Sequence, residues 1–140
     1  MKKLYPLFAL CFLLILGFTV SAQEIKSSKV LTYHGESENW SGAFTTEVLN
    51  GVVIQEGILK YKGKDIDSTG QISCSYETTA GGLSSISRLA GSGTDSPIGE
   101  KGTQKSTGKG GNINLFSKVE MVKVTVKWDG KVESFNLYKQ

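Results

Sequence analysis

The stretch Val122-Lys123-Val124-Thr125-Val126-Lys127-Trp128-Asp129-Gly130-Lys131-Val132-Glu133-Ser134-Phe135-Asn136-Leu137 decides the fold class. Before the turn, apolar residues alternate strictly with Lys and Thr, a period of two that belongs to a half-buried strand. Asp129-Gly130 is a preferred two-residue hairpin turn, because both residues tolerate positive φ. A two-residue loop pairs Trp128 with Lys131, Val126 with Glu133, Val124 with Phe135 and Val122 with Leu137. That register puts Val122, Val124, Val126, Phe135 and Leu137 on one face and Lys127, Thr125, Ser134 and Asn136 on the other. Turn chemistry and apolar pattern thus point independently to the same hairpin. Val132, on the polar face, is the one exception.

Working outward, the same alternation recurs. Lys29–Tyr33 reads as a strand, and Trp40–Leu49 as another, with Trp40, Phe44 and Val48 in phase. Asn50-Gly51 is a second turn pair, leading into a strand over Val52–Tyr61 that is bent at Gly57. Lys62–Asp65 turns the chain. Ile72, Cys74 and Tyr76 then share the apolar face of a fourth strand, which makes Cys74 a core residue. No stretch after the first 22 residues has a helical period.

Residues 79–112 differ in texture: nine of them are Gly, among many Ser, Thr and Lys. Leu83, Ile86 and Leu89 dock a short strand or turn onto the core, and Gly91–Asn112 reads as a mobile loop. Many short strands and Gly turns imply an all-β domain. The expected architecture is an antiparallel β-sandwich, immunoglobulin-like in layout, with a long Gly-rich loop. A small β-barrel is the alternative.

The first segment reads as an address. Lys2 and Lys3 precede an apolar run from Leu4 to Val20, which ends in Val20-Ser21-Ala22. This is the layout of a secretory signal peptide, with cleavage expected between Ala22 and Gln23. The run of about 17 residues sits at the lower limit for a membrane span. The expectation is a secreted or wall-associated domain, residues 23–140, with no stable membrane insertion after cleavage. Losing Lys2 and Lys3 lowers the net charge from +3 to +1, which removes any overall electrostatic case for nucleic acid. Cys74 then has no intramolecular partner, and a lone thiol in an oxidising exterior is either buried or pairs with another molecule.

Several stretches invite a chemical reading. Gly102-Thr103-Gln104-Lys105-Ser106-Thr107-Gly108-Lys109 is close to a phosphate-binding loop, but five residues separate its glycines and Gly110 stands where a magnesium-binding hydroxyl belongs. Asp65-Ile66-Asp67-Ser68-Thr69-Gly70 opens like a calcium loop, yet its twelfth position is Tyr76 rather than a bidentate Glu. A turn is the simpler reading. His34 stands alone beside Gly35-Glu36-Ser37-Glu38. Acid–base work needs a nucleophile and an orienting partner around it. No catalytic residue, metal or cofactor is therefore assigned. Lys101, Lys105 and Lys109 have few acidic neighbours and are candidate binding residues for an anionic wall polymer. Trp40 is either a further contact point or part of the core.

Gly35–Trp40 (GESENW), Gly57–Asp65 (GILKYKGKD) and Trp128–Leu137 (WDGKVESFNL) together resemble a group of small exported proteins of Firmicutes, especially bacilli. Those proteins pair a GESENW-like segment with a C-terminal Trp-x-Gly-Lys-x-Glu-x-Phe-x-Leu hairpin around a Gly/Ser-rich middle. The resemblance implies export and carries over no catalytic or ligand residue. The functional expectation is a non-enzymatic binding domain acting on an extracellular protein or a wall polymer. The alternative is an inhibitor or immunity protein against an extracellular enzyme.

Overall fold

The computed structural model describes residues 27–93 and 99–140. The leader and its expected cleavage site lie outside the described residues. Among the described residues there are eight strands: β1 (Ser27–Glu36), β2 (Trp40–Leu49), β3 (Val52–Tyr61), β4 (Gln71–Thr78), β5 (Gly81–Arg88), β6 (Thr103–Lys109), β7 (Met121–Trp128) and β8 (Lys131–Lys139). A single helical turn, α1 (Ile113–Phe116), lies between β6 and β7.

The β7–β8 hairpin has the register its alternation dictates, from Val122 opposite Leu137 to Trp128 opposite Lys131. Asp129 and Gly130 take φ of 44° and 69°, and Asn50 and Gly51 take 49° and 79° at the β2–β3 turn. Both turns twist with the flanking strands. Val122, Val124, Val126 and Leu137 are fully buried, Phe135 nearly so, and Val132 is exposed.

The expected sandwich is overturned. All eight strands belong to one antiparallel sheet, in the order β5-β4-β7-β8-β1-β2-β3-β6. The two sheets of a sandwich stay separate, whereas here β1 hydrogen-bonds to both β2 and β8 and joins the two halves. The sheet curls until its outer strands β5 and β6 meet, giving a nearly closed barrel. At one end of this seam the Ala90 N–H donates to the Thr103 carbonyl, and the Gly102 N–H to the Ala90 carbonyl, both at 2.8 Å. Midway, side chains replace the ladder. Gln104 donates through Nε2 to Ser87 Oγ at 2.9 Å and to the Ile72 carbonyl at 3.1 Å, and the Ser85 and Ser106 hydroxyls bond each other.

The Gly-rich stretch 79–112 is thus not one long loop. It contains β5 and β6, and β6 lies antiparallel along β3 from Lys60 opposite Thr103 to Ile54 opposite Lys109. Leu89 is buried and Leu83 packs against the core, but Ile86 points outward.

Side chains fill the barrel. Phe44 stacks on Tyr76 at 5.5 Å between ring centroids and tilts against Tyr33 at 6.2 Å. The Tyr33 hydroxyl donates to the Val119 carbonyl at 2.7 Å. The Tyr76 ring occupies the space that a side chain at position 57 would take, which is why β3 carries Gly57.

Candidate functional site

The two ends of the barrel are built differently. One end is closed. Trp40 opens β2 there, and its ring meets Trp128 edge-on at 5.2 Å and Tyr61 at 5.0 Å. Lys131 reaches over the Trp128 ring at 5.9 Å. Beside this aromatic cluster the β1–β2 turn is clasped by Glu133 of β8. The Asn39 backbone N–H donates to Glu133 Oε1 at 2.9 Å, Asn39 Nδ2 donates to Oε2 at 2.9 Å, and the Ser37 hydroxyl donates to Oε1. Lys62 adds a hydrogen bond to the Ser37 carbonyl at 2.9 Å and an ion pair with Glu36 at 3.5 Å. The GESENW segment and the WDGKVESFNL hairpin are therefore two halves of one clasp, and their spacing in sequence conceals a direct contact.

The clasp has a consequence for pH. Burial pushes the Glu133 carboxyl up, but the three donors on Asn39 and Ser37, together with the Lys62 charge, outweigh it and hold Glu133 below its ordinary value. A carboxylate depressed in the folded state adds stability above the unfolded pKa of about 4.3 and loses it as pH falls through the folded pKa. Glu133→Gln should thus lower the unfolding free energy by roughly 1–2 kcal/mol at pH 7, as for hydrogen bonds to a charged acceptor. The gap to the parent should narrow below about pH 4. Urea denaturation across pH 3–7 checks this, and a gap that stays constant over that range would contradict the clasp.

The opposite end is only partly stopped. Two glycines, Gly110 and Gly111, with φ of 129° and 104°, let the chain leave β6 and turn into α1. Asn112 caps α1, its Oδ1 accepting from the Asn114 N–H at 2.9 Å and the Leu115 N–H at 3.4 Å. Phe116 drops into the barrel end and is buried, which leaves Ile113 (39% exposed) and Leu115 (46%) facing solvent. Beside the turn opens a cavity of about 100 Å³. Its walls are Leu31, Val48, Val53, Ile113 and Phe116, with Thr46, Ser117 and Lys29 completing the lining. The arrangement is an apolar notch flanked by a capped turn that exposes two apolar side chains, a geometry suited to recognising another apolar surface.

The residues singled out in the sequence lie elsewhere. Trp40 is fully buried and is core, which removes it as a contact point. Lys101 precedes β6 near the closed end, and its side chain lies against Gly91. Lys105 and Lys109 share the outward face of β6, roughly 13 Å apart at about 3.3 Å per residue. Lys105 pairs with Glu56 at 3.2 Å. The three lysines are strung along the barrel and do not form one patch. His34 is exposed on β1. Cys74 is buried, and burial pushes its thiol up to about 11. Asp65 and Asp67 organise turns, accepting from the Ser68 and Gly93 backbone N–H groups. Among the described residues no three His, Cys, Asp or Glu side chains group as a metal site. The Gly102–Lys109 motif runs mostly along a strand rather than ahead of a helix.

The sequence reading missed the notch and α1. The available signal was local: an Asn cap followed by Ile113-Asn114-Leu115-Phe116, directly after two glycines. Among the described residues no helix is long and apolar enough to cross a membrane. Comparison with known proteins adds no relative: no family model, no curated protein and no solved structure gives a significant match.

Proposed function

We propose that this chain is an exported, non-enzymatic domain that binds a protein outside the cell, and that its mode is inhibition of an extracellular enzyme. The observation that carries this reading is the capped turn at the partly stopped end. Ile113 and Leu115 stand exposed on a segment locked by the Asn112 cap and by buried Phe116. A preordered apolar projection loses little entropy on binding, which is how a small rigid protein plugs an enzyme cleft. The filled barrel interior favours recognition at an end over enclosure of a ligand. Export is supported by the leader-like residues 1–22 and by the resemblance to exported Firmicutes proteins. A wall polymer is the weaker partner, because Lys105 is already paired and its neighbouring lysines are dispersed.

The experiment is a crosslinking pull-down from the culture's own walls and medium, with the parent chain and an Ile113→Ser/Leu115→Ser variant. A single enzyme should be captured at high salt by the parent and lost with the variant, and its activity should fall when the parent is added. Capture that is unchanged in the variant, or wall polymer released at high salt, would overturn the reading.

A further inference from the structure

Resting on that reading, we propose that the notch beside α1 receives a branched aliphatic side chain of the protein partner, next to an acidic residue of the same partner. Size sets the first half. The cavity holds about 100 Å³. A 150 Å³ apolar cavity takes a benzene ring, so this smaller one is matched to the three or four carbons of Val, Leu or Ile. Wall chemistry agrees, since Leu31, Val48 and Val53 form its barrel side.

Charge sets the second half. Lys29 lines the notch and makes no ion pair among the described residues. It sits at a bulge, where the β1–β2 register shifts between Ser27 and Val30. Bulges at sheet ends re-aim side chains, and this one brings a lysine to the wall of an apolar hole. A carboxylate adjoining the inserted side chain completes both needs at once. Ile113 and Leu115, exposed beside the notch, extend the apolar contact beyond a single side chain, which favours a polypeptide over a metabolite.

The test is an NMR titration of the protein with three acetylated, amidated tetrapeptides: Gly-Leu-Asp-Gly, Gly-Ala-Asp-Gly and Gly-Leu-Lys-Gly. The Leu-Asp peptide should shift the Leu31, Val48 and Val53 methyl signals saturably at millimolar concentration. The Ala peptide should bind at least about tenfold more weakly, because Leu→Ala removes about three methylene equivalents from the notch. The Leu-Lys peptide should bind several-fold more weakly, and this preference should vanish in Lys29→Gln, whose exposed site leaves the fold intact. Equal shifts from all three peptides, no shift from any, or a preference that survives Lys29→Gln would overturn the proposal. Isovalerate binding as tightly as the Leu-Asp peptide would also overturn it, by assigning the notch to a small carboxylate. Failure of the peptides while the Ile113/Leu115-dependent capture persists would sink this inference alone, whereas loss of that capture would sink the protein-binding reading itself.

Discussion

Trp40→Ala should lower the unfolding free energy by roughly 3–5 kcal/mol, the range for truncating a buried Trp. The ring is fully buried, and it touches Trp128 and Tyr61 from two other strands. Removing it opens a cavity at the closed end of the barrel that neighbours cannot fill, because the Glu133 clasp holds the turn beside it in place. The indole Nε1 is buried and has no hydrogen-bond partner among the described residues, so the loss is one of packing. Trp40→Phe, which also removes that orphaned donor, should cost about 1–2 kcal/mol. Urea denaturation followed by circular dichroism measures both. A loss below about 1 kcal/mol for Trp40→Ala would mean that the ring is not core.

How far the fold was legible depends on what each strand buries. The β7–β8 hairpin was readable to the residue, because Val122, Val124 and Val126 alternate with polar neighbours and Asp129-Gly130 admits one turn geometry. β2 and β3 were readable for the same reason, with Asn50-Gly51 between them. β6 was not readable. Its inward residues include Gln104 and Ser106, which are buried but bond to Ser87, Ile72 and Ser85 across the seam. The Gln104 Nε2 and the Ser106 hydroxyl are buried against hydrogen-bond partners rather than apolar contacts, so an apolar-periodicity reading sees only a polar loop. The sandwich failed on a different ground. Alternation says which face of a strand is buried, not which strand lies beside it, and the union of the two halves in one sheet turns on β1 pairing with β8 across more than a hundred residues of sequence. The notch was hidden twice over: it needs strands from the first half of the chain and a helical turn that begins just after the stretch read as loop.

Gly35→Ala, a single added methyl, should cost about 3 kcal/mol, or prevent folding, at the upper end of the range for overpacking a tight interior. The expectation comes from where that methyl would go. A Cβ at position 35 would collide with the carbonyl oxygen of Asn136, on the backbone of β8. A clash with a side chain is relieved by a rotamer change, but one with backbone is relieved only by moving a strand. Here the strand to move is β8, whose ladder with β1 is short, Tyr33 opposite Lys139 and His34 opposite Tyr138. Separating them pulls Glu133 away from Ser37 and Asn39, so the methyl breaks the clasp as well as the ladder. Gly42→Ala is the control within the same barrel. Its Cβ would first meet the Leu137 and Phe135 side chains, at 3.2–3.4 Å, and it should cost less than about 1 kcal/mol. Denaturation midpoints compare the two, and amide exchange at Tyr33, His34, Tyr138 and Lys139 locates the damage. Faster exchange confined to those residues in Gly35→Ala would trace the loss to the β1–β8 junction. Equal midpoints for the two variants would mean that the strands are not held that close, and the junction that turns two halves into one barrel would need another explanation.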